Sequence, residues 1–208
     1  YAESQTATWD WTQVTFSKNT AGPTTSGGAV STSSASLNWT MTSCTFIANV
    51  GSISGSSVLW MMTSTTQGWV WDHVTFTEHA TQGAVYLSAP TTAAVSGTLQ
   101  DCSFYNNQGG PGFIFHQSYL AALAHELTLT RISYKSNAFG MLFSNDYSNT
   151  DQLLKLTIQG CTFEDNTDSA FTFGQSGTAR PLQLTMSNSV VQNNGALTGK
   201  SAMNVLIT

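Results

Sequence analysis

The sequence contains little charge for its length. Only 8% of its 208 residues are charged, with 6 Lys and Arg against 11 Asp and Glu, which gives a formal net charge of −5. An ordinary globular domain has roughly 25% charged residues. Because nucleic-acid binding needs clustered Lys and Arg, this composition argues against a nucleic-acid partner.

Long apolar runs and a leader are also missing from the sequence. No apolar run reaches the roughly 18 residues that a membrane helix needs, so membrane insertion is not expected. The first residues, YAESQTATWDW, have neither the basic nor the apolar region of a signal peptide. We therefore expect either that a leader was removed or that the sequence is an internal piece.

What the sequence does contain is uncharged polar residues together with 40% hydrophobic residues. This hydrophobic content is too high for a disordered chain, and hydroxyl-rich surfaces are typical of β-structure. The length suits one sizeable domain. We expect residues 1–208 to form a single domain.

An aromatic residue recurs every 28 to 30 residues, and an asparagine follows it three positions later in nearly every copy. The aromatic column is Phe16, Phe46, Phe76, Phe104, Tyr134 and Phe163, with Val191 as a weak seventh member. The asparagine column is Asn19, Asn49, Asn107, Asn137, Asn166 and Asn194, with His79 as the exception. A fixed offset repeated in this way indicates an architectural unit.

Apolar and polar residues alternate before each aromatic anchor, which is typical of a strand. A phase slip just before the anchor predicts a bend, and a second apolar stretch follows each Asn after a short link. Units of about 29 residues cannot bury a face alone, so they must stack. The prediction is an all-β, single-stranded right-handed parallel β-helix (a solenoid) of about seven coils of 28–30 residues.

The stacked columns predict the roles of their residues. The aromatic column should form the core stack, and the Asn column should form a structural ladder at a corner that requires left-handed backbone. Cys44, Cys102 and Cys161 share one inward column. Since they lie two coils apart, about 9.6 Å, they should be buried and unpaired.

The repeat resembles the pectin-lyase-like parallel β-helix superfamily, and more narrowly the repeats of chlamydial polymorphic outer-membrane proteins. Those repeats carry FxxN and GGA[ILV], which stand here as Phe16–Asn19, Phe46–Asn49, Phe104–Asn107, Phe163–Asn166 and, for GGAV, Gly27–Val30. The resemblance spans nearly the whole chain. It implies the β-helix fold and a place in a large surface protein.

Carbohydrate lyases and hydrolases of the same superfamily suggest an alternative function. The resemblance implies that such enzymes would need converging carboxylates, and NTD occurs at Asn149–Asp151 and Asn166–Asp168. No paired Asp, GHG or RIK motif accompanies them. We therefore expect no catalytic residues unless Asp146, Asp151 and Asp168 converge within roughly 5–10 Å.

Three further motifs suggest other activities. Asp72, His73, Glu78 and His79 are metal-ligand types, but their spacing favours a polar surface patch, so neither a metal nor another cofactor is expected. Thr-x-Thr rows on a strand face are typical of ice-binding solenoids, but only Thr40/Thr42 and Thr128/Thr130 fit this pattern. The sequon NWT makes Asn38 a candidate for N-glycosylation on an outward-facing column.

The leading functional prediction is a non-catalytic structural or adhesive segment of an extracellular or cell-surface β-helix protein, in a filament, stalk or adhesin. Neither end shows a capping element. Exposed strand edges invite pairing with other chains, so we expect flanking coils or self-association at both ends. The alternative is a polysaccharide-binding or polysaccharide-cleaving β-helix, and ice binding is the third.

Overall fold

The computed structural model describes residues 7–21, 28–34, 37–51, 58–62, 67–80, 83–89, 94–117, 125–146, 154–176 and 182–195. These residues form twenty β-strands arranged in three parallel sheets. No helix occurs among the described residues, so none of them belongs to a helix that could cross a membrane. The prediction of an all-β parallel β-helix is confirmed.

Each coil contributes one strand to each sheet in turn, so every sheet takes every third strand of the chain. Sheet A contains Ala7–Thr12 (β1), Leu37–Thr42 (β4), Gln67–Asp72 (β7), Val95–Gln100 (β10), His125–Thr130 (β13), Leu154–Gln159 (β16) and Leu182–Ser187 (β19). Sheet B contains Thr15–Ser17 (β2), Thr45–Ile47 (β5), Thr75–Thr77 (β8), Ser103–Tyr105 (β11), Ser133–Lys135 (β14), Thr162–Glu164 (β17) and Val190–Gln192 (β20). Sheet C contains Val30–Ser34 (β3), Val58–Met62 (β6), Val85–Ala89 (β9), Phe113–Gln117 (β12), Met141–Asp146 (β15) and Phe171–Ser176 (β18).

The register of the sheets places equivalent residues above one another. In sheet B, Phe46 pairs with Phe16 on one side and with Phe76 on the other. Phe104 continues the column, followed by Tyr134, Phe163 and Val191. The sequence alignment on the aromatic anchor therefore corresponds to the spatial register.

Two corners of each coil adopt left-handed backbone, and most of the residues there are not glycine. The first corner lies between sheets A and B, at the predicted bend, and consists of Gln13, Ser43, His73, Asp101, Arg131, Gly160 and Asn188. The second follows sheet B and consists of Lys18, Ala48, Glu78, Asn106, Ser136, Asp165 and Asn193. Backbone N–H groups at these corners donate to carbonyls of the next coil, as from Ser43 to Asp72 at 2.9 Å. This bonding helps to offset the roughly 1–2 kcal/mol that left-handed backbone costs a residue with a side chain.

The second corner corrects one detail of the sequence prediction. The left-handed residue is the one before each ladder Asn, for example Asn106 before Asn107, and not the ladder Asn itself. The ladder Asn is therefore free to direct its side chain inward, where Asn107 is fully buried.

The core is a single apolar cluster enclosed by the three sheets. The aromatic core stack is buried from Phe46 to Phe163, and Trp39 of sheet A is likewise only 1% exposed. Phe16, the first member of the predicted core stack, is only partly buried, as are Trp9 and Trp11, because β1 and β2 are the outermost described strands of their sheets. A buried glycine makes room for one large ring: a Cβ on Gly97 would lie 2.0 Å from Cζ2 of Trp69.

Candidate functional site

The Asn column forms a ladder of hydrogen bonds along the helix axis. Side-chain Nδ2 donates to Oδ1 of the next coil's Asn from Asn19 to Asn49 at 2.8 Å, from Asn107 to Asn137 at 2.8 Å and from Asn166 to Asn194 at 2.7 Å. The Asn137 to Asn166 bond is 3.2 Å long. The structure thus brings together all six asparagines that the sequence selects, in two segments.

Each buried ladder amide also bonds to backbone groups of its neighbours. Asn137 Nδ2 donates to the Phe104 carbonyl at 2.9 Å, and Asn137 Oδ1 accepts from the Asn107 backbone N–H at 3.1 Å. Asn49, Asn107, Asn166 and Asn194 donate in the same way to the anchor carbonyl of the preceding coil. A buried backbone group without a partner is costly, so the amide acts as a tie between coils.

His79 interrupts the ladder between Asn49 and Asn107. Its backbone N–H still donates to Asn107 Oδ1 at 3.2 Å, but both ring nitrogens are fully buried and have no hydrogen-bond partner among the described residues. The neighbouring Thr77 hydroxyl is likewise buried without a partner. Burial lowers the pKa of His79 to about 4, an effect that the Thr77 backbone opposes only in part. The sequence showed the exception in the column but not this burial.

The aromatic anchors form a continuous stack beside the ladder. Ring centroids are 4.9 Å apart from Phe16 to Phe46, from Phe46 to Phe76 and from Phe76 to Phe104. The stack continues through Tyr134, whose centroid is 5.7 Å from Phe104, to Phe163 at 6.0 Å from Tyr134.

Tyr134 is tolerated in this apolar column because its hydroxyl is bonded on both sides. The hydroxyl accepts from the Gly112 N–H at 2.7 Å and donates to the Phe139 carbonyl at 2.9 Å. Burial raises the pKa of the Tyr134 phenol well above its ordinary value. The tyrosine therefore ties sheet B to the start of sheet C, a role that the sequence pattern did not indicate.

The three cysteines are buried and carry free thiols, as expected. Each thiol contacts the carbonyl of a sheet A residue one coil earlier: Trp11 for Cys44 at 3.5 Å, Trp71 for Cys102 at 3.3 Å and Leu129 for Cys161 at 3.4 Å. Burial raises the pKa of the Cys102 thiol to about 12. A thiol in this state is a poor nucleophile, so the column acts in packing.

No family model, curated protein or solved structure matches this chain. What the chain does must therefore be inferred from its residues and their contacts. The ladder, the aromatic stack and the thiol column hold coils together and leave no reactive group exposed within these columns.

The residues of metal-ligand type that the sequence analysis identified lie partly on the surface and partly in the core. Asp72, His73 and Asp101 place one potential ligand atom each within 4.8 Å of the others at the first corner. Arg131 already binds Asp101 through two bonds of 2.7 and 2.6 Å and lowers the pKa of that carboxyl. Glu78 is exposed and His79 is buried, so the four residues of the original motif do not converge.

Of the three candidate catalytic carboxylates, the structure describes the surroundings of Asp168 alone. Asp168 is only 7% exposed, and its Oδ1 accepts from the Ser169 N–H at 2.8 Å. Asp146 is the last residue of β15, and Asp151, with the first NTD motif at 149–151, lies outside the described residues. The second NTD motif begins with the ladder residue Asn166.

Asn38 is exposed on the outer face of sheet A, at the edge of a shallow depression of about 290 Å³. Gly68 creates the depression, because it stands in an outward column between Asn38 and Ser96 where its neighbours carry side chains. Thr40, Thr98 and Val70 complete the lining, and Val70 is 48% exposed. The sequence analysis identified Asn38 as an outward residue but overlooked the gap left by Gly68.

Proposed function

We propose that this chain is a non-catalytic structural segment of an extracellular or cell-surface β-helix, in a filament, stalk or adhesin. The hydrogen bonds and ring contacts between coils support this proposal, because the side chains that recur in each repeat are used for stacking. The FxxN repeats support kinship with the pectin-lyase-like superfamily and with chlamydial outer-membrane protein repeats. Low charge and hydroxyl-rich outer strands suit a surface that does not attract nucleic acid.

The observation that carries the proposal is the apolar surface at the outermost coils. Trp9 and Trp11 are partly buried, whereas Trp39 and Trp71 in the following coils are at most 1% exposed. At the opposite side of sheet A, Leu184 and Met186 are also only partly buried. β1 and β19 are the outermost described strands of sheet A, and strand edges beside apolar side chains favour the addition of further strands.

The ladder gives this addition a direction. Every bond in it runs from Nδ2 of one Asn to Oδ1 of the Asn in the next coil. Asn19 is exposed and uses its Nδ2 and backbone N–H toward Asn49, so its Oδ1 faces the side from which a preceding coil would donate. A coil with a ladder Asn, from the same chain or from another copy, would continue the pattern head to tail.

Light scattering and electron microscopy over a range of concentrations test this proposal. We expect the 208-residue chain to form head-to-tail oligomers, and Trp9→Ser with Trp11→Ser to reduce them. Val70→Ser is the matched control, because Val70 is an exposed apolar residue of the same sheet away from its outer strands. A stable monomer in which the amides of β1 and β19 exchange freely with solvent would contradict end-to-end stacking.

Polysaccharide binding is the second candidate function, and the depression at Gly68 favours it. Its lining offers the Asn38 amide, the Thr40 and Thr98 hydroxyls and an apolar patch at Val70, which suit a sugar ring. The lining contains no carboxylate, so binding is better supported here than cleavage. Titration of the chain with soluble polysaccharides, compared with Thr98→Val, tests this candidate. Unchanged affinity in the variant would exclude this surface as the site.

A further inference from the structure

His79 is a buried titratable side chain at the position where the six other coils carry an asparagine. Its side chain is 0% exposed, and neither ring nitrogen has a hydrogen-bond partner among the described residues. Asn49, in the coil before it, donates its Nδ2 to the Phe16 carbonyl and makes no bond to the ring. At this level His79 takes part in the ladder only through its backbone N–H, which donates to Asn107 Oδ1 at 3.2 Å.

The surroundings of His79 provide no charged counter-ion for an imidazolium, and the Thr77 backbone offsets the effect of burial only in part. The corners of the adjacent coils, residues 44–51 and 102–110, contain no charged residue, and neither does strand β9. The titratable groups on these elements and next to His79 are the Cys44 and Cys102 thiols, the Tyr86 and Tyr105 phenols and the exposed Glu78 carboxylate. An imidazolium at this position would be buried without a counter-ion, which is strongly unfavourable.

We infer that His79 is an acid-sensitive position in the coil stack: it accepts a proton far more readily when the third coil opens at the corner that follows strand β8. Protonation then favours the opened state, in which the ring reaches water. The other coils carry asparagine at this position and have no titratable group there. Acidification therefore acts first at one defined level of the solenoid, independently of the function proposed above.

The direction of the pH effect follows from the depressed pKa. Burial lowers the pKa of His79 in the folded chain to about 4, against 6.5 for an ordinary histidine. Above pH 6.5 the ring is neutral in both states, so this group does not affect stability. As the pH falls from 6.5 toward 4, stability is lost because the opened or unfolded state binds the proton more readily than the folded state. Between pH 7.5 and pH 5, this single group should raise the equilibrium constant for opening about 30-fold.

His79→Asn tests the inference, since it installs the residue that the other six coils carry. Urea unfolding and amide hydrogen exchange would be measured at pH 7.5 and pH 5 for the parent chain and the variant. We expect the parent chain to show an approximately 30-fold larger increase in opening of the third coil than the variant. His73→Asn is the matched control, because the His73 side chain is 61% exposed, and it should retain the parent's response.

Equal pH responses in the parent chain and His79→Asn would overturn the inference. Proton NMR of the parent chain provides a second measurement that does not require the variant to fold. We expect the His79 ring resonances to remain those of the neutral form down to pH 5. Titration of that ring near 6.5 in the folded chain would equally overturn the inference.

Discussion

Removal of a central ladder amide should destabilise the solenoid strongly. Asn137 is fully buried, and its side chain makes four bonds: two to neighbouring amides, one to the Phe104 carbonyl and one to the Asn107 N–H. In Asn137→Ala, Asn107 Nδ2 retains its bond to Phe76 and Asn166 Oδ1 retains its bond from the Asn137 N–H. The Asn107 N–H loses its acceptor, Asn137 Oδ1, and the Phe104 carbonyl, which also belongs to the sheet B ladder, loses the Asn137 Nδ2 donor.

The cost of this change can be estimated from the Asn107 N–H. A buried polar group left unpaired costs about 1–3 kcal/mol, so Asn137→Ala should lower the free energy of unfolding by about 1–3 kcal/mol. Equilibrium unfolding in urea, followed by tryptophan fluorescence, measures this quantity. Near-ultraviolet circular dichroism of the variant would verify that the stack still forms before urea is added.

Asn19→Ala is the matched control for the ladder. Asn19 is exposed, and its backbone N–H would still donate to Asn49 Oδ1 at 3.0 Å after the side chain is removed. We therefore expect a loss below about 1 kcal/mol. If Asn137→Ala were as mild as Asn19→Ala, the ladder would contribute only its corner geometry and the estimate above would be refuted.

Three further predictions concern the core. Phe104→Ala should lower the free energy of unfolding in the same urea assay by about 3–5 kcal/mol, because Phe104 is buried. Phe16→Ala should lower it by clearly less, because Phe16 is only partly buried, and equal losses would contradict this difference in burial. Gly97→Ala should destabilise the chain because its Cβ would meet the Trp69 ring, and adding Trp69→Leu should recover stability; no recovery would show that the contact is not the cause. Cys102 should react with a thiol reagent at pH 8 only as the chain unfolds, since burial raises its pKa to about 12, and rapid labelling of the folded chain would contradict this.

The sequence alone predicts the stack well because the same side-chain types recur at fixed offsets. The Phe46–Phe76 pair and the Asn107–Asn137 bond both follow from one alignment of the repeats. Parallel stacking brings like residues into contact, so periodicity along the chain translates directly into neighbours in space. The core stack is only partly buried at Phe16 because no described strand covers the outer edge of β2.

The left-handed corners were harder to predict because they have no uniform residue type. Lys18, Ala48 and Glu78 share one such corner, and none of them is a residue that prefers this backbone. The conformation depends on bonds to the next coil, such as that from the Ala48 N–H to the Thr77 carbonyl at 3.0 Å. A single coil does not contain that information, so only the assembled stack reveals it.

The constant register limits how a chain of this kind can change its length. Thr45 pairs with Thr75, so an in-frame deletion of residues 45–74 would join Cys44 to Thr75 and place Phe76 where Phe46 had been. A deletion that does not remove a whole number of repeats, each of 28 to 30 residues, would shift inward side chains out of their columns. Recombination between repeats would therefore lengthen or shorten the rod in steps of one coil, about 4.8 Å each, while preserving the contacts between the coils that remain.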